Sequence, residues 1–253
     1  MTPSVRLELD GPVARVTLNR PEVLNAGDPG WVAELTEVVA RIGARPDLRV
    51  GVITGAGRAF STGVDLGALA AGEMTLPHFV AWEDAMTAIE RMPIPFIAAI
   101  NGHCLGGGLQ LALVCDYRLA AADAVIGLPA VKECLIPSMA LYRLPRLIGA
   151  ARAREMILTG EPISADRAAD YGLINQVVPA PEFPRALDAC IGHFLALPAT
   201  AVAVSKRLLA RAFDLPFDAF RREMEAGFRL CLDSAEHRAA MDEIRHRRKG
   251  PAR

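Results

Sequence analysis

Two apolar runs, each ending in a glycine-containing turn, constrain the fold of this chain most strongly. The first covers residues 50–54 and ends at Gly55, and the second covers residues 96–100 and ends at Asn101-Gly102. Short apolar runs bounded by turn residues predict strands that are buried on both faces. Residues 31–44, 76–91 and 107–115 carry apolar side chains at helical spacing. Strands that alternate with helices are joined by parallel crossovers, so the pattern predicts an α/β core.

The two ends of the chain have different patterns. Apolar and polar residues alternate through 5–9, residues 13–18 are again strand-like, and Asp10-Gly11 between them predicts a β-hairpin. Beyond about residue 181, helices are expected at 185–197, 201–213, 216–230 and 235–248, with Pro198 and Pro216 as breaks. We therefore predict an α/β core over residues 1–180 and a helical C-terminal region over residues 181–253.

Composition excludes several classes of protein. The 253 residues are 52% hydrophobic and have a formal net charge of −1, so a large core is expected and a nucleic-acid partner is not. Five scattered cysteines without a CxxC pair indicate reduced thiols, and the histidines form no ligand cluster, so no metal is expected. No apolar signal core or membrane span is visible. We expect a soluble, cytoplasmic protein without a membrane partner.

Each glycine segment has more than one interpretation when it is considered alone. The first, residues 55–66, lacks the third glycine of a dinucleotide fingerprint because Phe60 stands there, and an ordinary turn is favoured. The second places Gly106, Gly107 and Gly108 at the start of a helix, where a ligand can approach the backbone closely. Free N–H groups at that point suit an anion or a developing oxyanion. The alternative for this second segment is close packing of the helix against a strand.

Together the two segments resemble the crotonase (enoyl-CoA hydratase/isomerase) family. The motif is a loop of the form A-x-G-x-D after one strand, followed by N-G-x-x-x-G-G-G after the next. The matching residues are Thr62-Gly63-Val64-Asp65-Leu66, Asn101-Gly102 and Gly106-Gly107-Gly108. The resemblance extends over roughly residues 5–248, with further matches at Asn19-Arg20-Pro21-Glu22, Leu24-Asn25-Ala26, Cys115-Asp116-Tyr117-Arg118, Leu128-Pro129 and Gly172-Leu173-Ile174-Asn175.

This resemblance implies a fold, an assembly and a substrate. The fold would be a crotonase-like ββα spiral with a C-terminal helical trimerisation region, in a homotrimer or a hexamer built as a dimer of trimers. The substrate would be an acyl-CoA thioester, with coenzyme A as part of the substrate and no other cofactor. The backbone N–H groups of Val64 and Gly107 would hold the thioester oxygen and stabilise an enolate. The neighbouring positions implied to bind substrate are Ala26, Thr62, Gly63, Asp65, Leu66 and Gly106, with Asp65 orienting its loop.

Both proton-transfer glutamates of the hydratases are replaced. Gln110 stands at the first position, and an amide can orient a water molecule or a substrate but cannot act as a general base. Ala130 stands at the second position and can do neither. Glu133 follows three residues later and would face the same cavity if the segment turns helically, which makes it a candidate for a relocated base. The alternative is a surface glutamate or one that is salt-bridged beside Lys132.

Several further residues have two interpretations each. Ser138 is expected either to hydrogen-bond substrate or to cap a helix. His103 is expected to make a structural hydrogen bond rather than to titrate in the site, and Asp28 has no assigned position. The basic residues 245–249 would contact CoA phosphates or form a solvated tail. Apolar residues at helical spacing would line an acyl tunnel or belong to the core; these are Met74, Phe79, Trp82 and Met86.

The function predicted from the sequence is an acyl-CoA hydratase or double-bond isomerase. Gln110 and Ala130 favour an alternative from another class, a non-catalytic acyl-CoA-binding protein. A third hypothesis is another reaction that uses the same oxyanion hole, namely decarboxylation or thioester hydrolysis. Glu133 is the residue that favours proton-transfer chemistry.

Overall fold

A computed structural model describes residues 2–249 of the chain, with side chains up to residue 246. Within this part, strands form a large sheet and a small sheet. The large sheet has the order β1-β2-β3-β5-β7-β10, and its strands are Val5–Asp10, Val13–Leu18, Val50–Gly55, Phe96–Ile100, Tyr117–Ala121 and Gln176–Val178. The small sheet has the order β4-β6-β8-β9, and its strands are Ala59–Ser61, His103–Leu105, Val125–Gly127 and Ile163–Ser164.

Successive pairs of strands build a spiral. β3, β5 and β7 each contribute to the large sheet, and the strand that follows each of them contributes to the small sheet before the chain enters a helix. Pairing is parallel along both series, while β1 pairs antiparallel with β2 and β8 pairs antiparallel with β9. This is the predicted ββα spiral, and the predicted N-terminal hairpin is confirmed.

Helices follow the strands and cover the sheets. α3 has the bounds predicted from the sequence, whereas α4 is two residues shorter and α9 is displaced. The helices are α1 Pro29–Gly43, α2 Leu66–Ala70, α3 Leu76–Arg91, α4 Gly107–Leu113, α5 Ala140–Ile148, α6 Ala150–Thr159, α7 Ala165–Asp170, α8 Phe183–Leu195, α9 Ala199–Leu209, α10 Phe217–Leu232 and α11 Ala235–Lys249.

The central strands β3 and β5 of the large sheet are buried on both faces, as their continuous apolar runs predict. Alternate residues of each strand point to opposite faces, so Ala98 joins one apolar cluster and Ile97 joins the other. Helices α1 and α3 cover the first face, and Trp31 and Trp82 are both buried there. α8 covers the second face through Phe183 and other apolar side chains. The first helix of the C-terminal region thus completes the packing of the sheet.

No helix within residues 2–249 is by itself long and apolar enough to span a membrane. Ala180–Leu195 and Ala199–Leu209 meet the requirement only as a pair, which is bent by 100°.

The helices α9 and α10 expose apolar side chains that suit subunit contacts, among them Leu209, Phe217 and Phe228. The trimer or hexamer and the domain boundary at residue 180 stay predictions.

A buried asparagine joins the first loop to the turn between β3 and β4. Asn25 is fully buried with a φ of 58°. Its Nδ2 donates to the carbonyls of Ala56, Ala59 and Phe60 at 2.9, 2.8 and 3.1 Å, and its Oδ1 accepts from the Arg20 N–H at 2.8 Å. These bonds hold the start of the first glycine segment in place.

Removing the Asn25 side chain is expected to destabilise the whole fold. Asn25→Gly suits the positive φ, so its effect isolates the lost hydrogen bonds, which leave buried carbonyls unpaired and cost about 3 kcal/mol. Chemical denaturation measures the change in unfolding free energy. Asn19→Gly removes one hydrogen bond near the surface, from Asn19 Nδ2 to the Pro3 carbonyl, and should cost less than about 1 kcal/mol. Equal losses in the two variants would contradict the role of Asn25.

Candidate active site

Most of the site residues predicted from the sequence line one pocket. It has a volume of about 120 Å³ and opens to solvent, at the junction of both glycine segments with the segment before α5. Nine of the predicted site residues line it: Thr62, Val64, Leu66, Gly106, Gly107, Gln110, Ala130, Glu133 and Ser138.

The two glycine segments touch through their backbones. Gly63 has a φ of +92°, and a Cβ atom at this position would lie 2.6 Å from the Gly107 nitrogen. A Cβ atom at Gly107 would lie 2.6 Å from the ring of Trp82. Separations under 3.0 Å are not tolerated by real Cβ atoms, so glycine is required at both positions. The close packing that was one alternative for the second segment is therefore present, and it brings that segment against the first.

This contact places two free N–H groups on the pocket wall. Val64 forms a parallel bridge with Gly27, in which Gly27 N–H donates to Gly63 at 2.8 Å and Asp65 N–H donates to Gly27 at 2.9 Å. The N–H of Val64 points away from this bridge. Gly107 is the first residue of α4, where an N–H has no partner within the helix. Within residues 2–249 neither N–H has an acceptor, and both residues line the pocket.

Gln110 offers its whole amide to a ligand. The side chain lies one turn into α4 and is 9% exposed. Its Oε1 is buried without a partner, and no described residue hydrogen-bonds to the amide at all. Buried polar atoms are almost always paired in folded proteins, so an unpaired amide on a pocket wall indicates a group that pairs with a bound molecule.

Glu133 reaches the pocket because its segment is a 3-10 helix. This helix covers Pro129–Glu133 and ends at Cys134 with a φ of 56°. Residues three apart eclipse one another in such a helix, so Ala130 and Glu133 lie on the same face. Both line the pocket, and Glu133 is exposed to solvent. Lys132 pairs with Glu161 at 2.8 Å instead, so the salt bridge weighed between Lys132 and Glu133 is not formed.

Ser138 does not cap a helix. α5 begins at Ala140 with Met139 at its N-cap position, and no side chain caps it. The Ser138 backbone has a φ of +38°, a conformation uncommon for a residue with a side chain. Ser138 lines the pocket, and its hydroxyl donates to Glu83 Oε2 over a long 3.5 Å.

Apolar side chains of α3 form part of the pocket wall. Phe79, Trp82 and Met86 line the pocket, and Trp82 and Met86 also belong to the buried apolar core. Met74 is buried in that core and does not line the pocket. The rings of Trp82 and Trp31 lie 4.8 Å apart, which fixes the Trp82 ring against the glycines. Leu135 and Ile136 add further apolar surface.

Three predicted substrate-binding residues support the loops and do not line the pocket. Asp65 accepts from the N–H groups of Gly67 and Ala68 at the start of α2, which is the loop-orienting role expected for it. Gly63 contacts Gly107, and the buried Ala26 accepts from Arg20 Nη1 at 2.6 Å. The same arginine pairs with Asp65 at 3.3 Å.

Asp28, His103 and Arg245 also lie outside the pocket wall. Asp28 caps α1 by accepting from the Trp31 N–H and pairs with Arg20 at 3.0 Å. His103 lies in β6. In the basic tail, Arg245 pairs with Asp242 at 2.7 Å, and the side chains of residues 247–249 lie outside the described residues.

The sequence did not predict the ion-pair cluster around the buried Arg143, which contacts Ser138 through Glu83. Arg143 is 6% exposed and contacts Glu83 at 2.7 Å and Glu90 at 2.9 Å. Burial opposes the charge of Arg143, but its hydrogen bonds to Glu90 and Glu83 outweigh burial and raise its pKa. Glu83 lies four residues after Phe79 and three before Met86, on the same face of α3. This helical spacing is the one sequence signal that could have indicated a role for Glu83 near the pocket.

The thiols of Cys104 and Cys115 are buried and do not line the pocket. Burial raises the pKa of Cys115 to about 12 and also raises that of Cys104, so these thiols stay protonated. Among the described residues, no three His, Cys, Asp or Glu side chains are arranged to hold a metal ion.

Comparison with known proteins agrees with this geometry. The family described as enoyl-CoA hydratase/isomerase matches residues 8–250. An (E)-benzylidenesuccinyl-CoA hydratase from Thauera aromatica is 44% identical over 188 residues, which cover 69% of each chain. A crotonyl-CoA hydratase from Syntrophomonas wolfei is 31% identical over 250 residues, covering 97% of this chain and 96% of that protein.

Solved structures extend the similarity to the fold. An enoyl-CoA hydratase from Mycobacterium smegmatis superimposes with a TM-score of 0.92 at 28% identity over 97% of both chains. An enoyl-CoA hydratase from Bacillus anthracis gives 0.90 at 29% identity over 96% of both. The chain therefore belongs to the enoyl-CoA hydratase/isomerase family, the crotonase superfamily of acyl-CoA-processing proteins.

Proposed function

We propose that this protein is an acyl-CoA hydratase or double-bond isomerase that holds a thioester enolate between the N–H groups of Val64 and Gly107. The observation that carries the proposal is the presence of these two unpartnered N–H groups on one largely apolar pocket wall. Negative charge develops on the thioester oxygen only during the reaction. Fixed donors aimed at that oxygen therefore stabilise the transition state more than the substrate.

Glu133 supplies the proton transfer in this proposal. It is the one carboxylate among the described residues that line the pocket. A single carboxylate suffices for isomerisation, because it can remove a proton from one carbon of the acyl chain and return it to another. Gln110 orients the substrate or a water molecule through its free amide.

Glu133→Gln is expected to lower turnover by about 100-fold, since the amide cannot exchange a proton with carbon. The assay follows the conjugated enoyl thioester absorbance, with crotonyl-CoA for hydration and 3-hexenoyl-CoA for isomerisation. Glu161→Gln is the matched control, because Glu161 is exposed, pairs with Lys132 and lies outside the pocket wall. That variant should keep wild-type turnover.

Two results would argue against this function. Full activity of Glu133→Gln would remove Glu133 from the mechanism. A wild-type protein that binds acyl-CoA by calorimetry but turns over neither substrate would instead support a binding protein, a decarboxylase or a thioesterase.

We further propose that the pocket takes an enoyl-CoA with an aryl-substituted acyl group. Phe79, Trp82, Met86, Leu135 and Ile136 offer aromatic and apolar surface, and aromatic groups pack favourably against such side chains. The name of the Thauera aromatica relative, which contains a benzylidene group, supports the same class.

Cinnamoyl-CoA is therefore expected to be a better substrate than crotonyl-CoA, by about tenfold in kcat/KM. Phe79→Ala should remove most of that difference, since it deletes one aromatic contact, while crotonyl-CoA turnover changes less than about threefold. Steady-state kinetics with the two thioesters measure both values. A wild-type preference for crotonyl-CoA would refute an aryl-selective pocket.

A further inference from the structure

We propose that Ser138 is a second catalytic residue of this site and that Glu83 acts through it as a positioning residue that accepts its proton. The inference rests on the proposed function and deepens it. Hydration requires two proton transfers, one that activates water and one that protonates carbon. Gln110 and Ala130 stand where hydratases have glutamates, so Glu133 is the one carboxylate among the described residues that line the pocket. Glu83 lies behind the pocket wall and accepts a hydrogen bond from the pocket residue Ser138.

The two oxygens of Glu83 have different partners. Oε1 contacts Arg143 Nη2 at 2.7 Å and accepts from the Thr87 hydroxyl at 3.0 Å. Among the described side chains, Oε2 accepts from Ser138 alone. The carboxylate is thus anchored through one oxygen, while the other faces the pocket residue.

Glu83 belongs to a cluster of three charged groups at the edge of the pocket. Arg143 is shared between Glu83 and Glu90, so the three groups sum to one negative charge. Arg143 is 7% exposed in its side chain and Glu83 16%, which limits competition from bulk water.

Ser138 is held between this cluster and the pocket. Its φ of +38° orients the residue at the turn before α5, and the residue lines the pocket wall with Glu133. Because its O–H donates to Glu83, the lone pairs of Oγ remain available to accept a proton from a molecule in the pocket.

Hydration proceeds by a proton relay from water through Ser138 to Glu83. A water molecule gives one proton to Ser138 Oγ as Ser138 passes its own proton to Glu83 Oε2. The water oxygen bonds to the β-carbon, and the electrons of the carbon–carbon double bond move to the thioester oxygen, held by the N–H groups of Val64 and Gly107. Glu133 in its protonated form then gives its proton to the α-carbon. After product leaves, Glu83 loses its proton through Ser138 and the exposed Glu133 regains one from solvent.

Ser138→Gly is the most discriminating variant. Glycine suits a φ of +38° better than serine does, so the variant should be at least as stable as wild type while lacking the hydroxyl. We expect kcat for hydration to fall about 100-fold with KM changed less than about twofold. Glu83→Gln should show the same split, and the double variant should lose no more than either single variant, because the two residues act in one path.

Glu90→Gln is the matched control for disruption of the ion-pair cluster. Glu90 pairs with the same arginine but lines a different groove, so its variant should keep hydration. A second readout is exchange of the α-protons of butyryl-CoA in D2O, which requires Glu133 and the two N–H groups but no water activation. Ser138→Gly and Glu83→Gln should keep this exchange.

These measurements distinguish failure of the Ser138–Glu83 path from failure of the proposed function. The Ser138–Glu83 path is supported if Ser138→Gly and Glu83→Gln lose hydration but keep exchange, while Glu90→Gln keeps hydration. Hydration by Ser138→Gly within threefold of wild type, or equal losses in Glu83→Gln and Glu90→Gln, would overturn it. A wild-type protein that shows neither exchange nor hydration would instead refute the proposed function itself.

Discussion

Gly63 lies so close to the backbone nitrogen of Gly107 that no side chain fits at position 63, and the geometry of the pocket depends on this contact. The distance is fixed by the strand that precedes each loop, because β3 and β5 are neighbours in the large sheet and β4 and β6 are neighbours in the small one. Two loops that leave adjacent strands in the same direction are brought together by the spiral. Their free N–H groups then face one space without help from any side chain.

Buried and half-buried polar groups keep the loops in this position. The buried Asn25 satisfies carbonyls of the turn that leads into β4, and the half-buried Arg20 pairs with Asp28 and Asp65, which cap the first turns of α1 and α2. Leaving such groups unpaired costs free energy, so several interactions fix the loop conformation at once. A rigid scaffold of this kind suits a reaction that needs donors fixed before charge develops.

The sequence predicted the features that repeat with a clear period or follow a motif. The strand at 96–100 and the helix at 76–91 carry continuous or helical apolar patterns and were found with their observed bounds. Strands such as His103–Leu105 are too short to show a period and lie inside glycine segments, so they were missed. The pairing of Glu83 with Arg143 joins residues that are distant in sequence, and only the folded chain brings them together.

The candidate site shows the same division. The family motif indicated Val64, Gly107 and Gln110, and helical spacing from Ala130 made Glu133 a candidate. All four line one pocket, Glu133 because its segment is a 3-10 helix. The helix-cap interpretation of Ser138 failed because α5 begins two residues later and the backbone turns through a positive φ. A pattern of residue types does not encode that turn.

In the proposed mechanism, two backbone N–H groups polarise the carbonyl of a bound thioester. Difference infrared spectroscopy of butyryl-CoA labelled with 13C at the thioester carbonyl measures this polarisation in the wild-type protein without requiring turnover. We expect the labelled carbonyl stretch to move to lower frequency on binding, because two hydrogen bonds weaken the C=O bond. A carbonyl stretch that is unchanged from its value in water, with binding confirmed by calorimetry, would contradict the account.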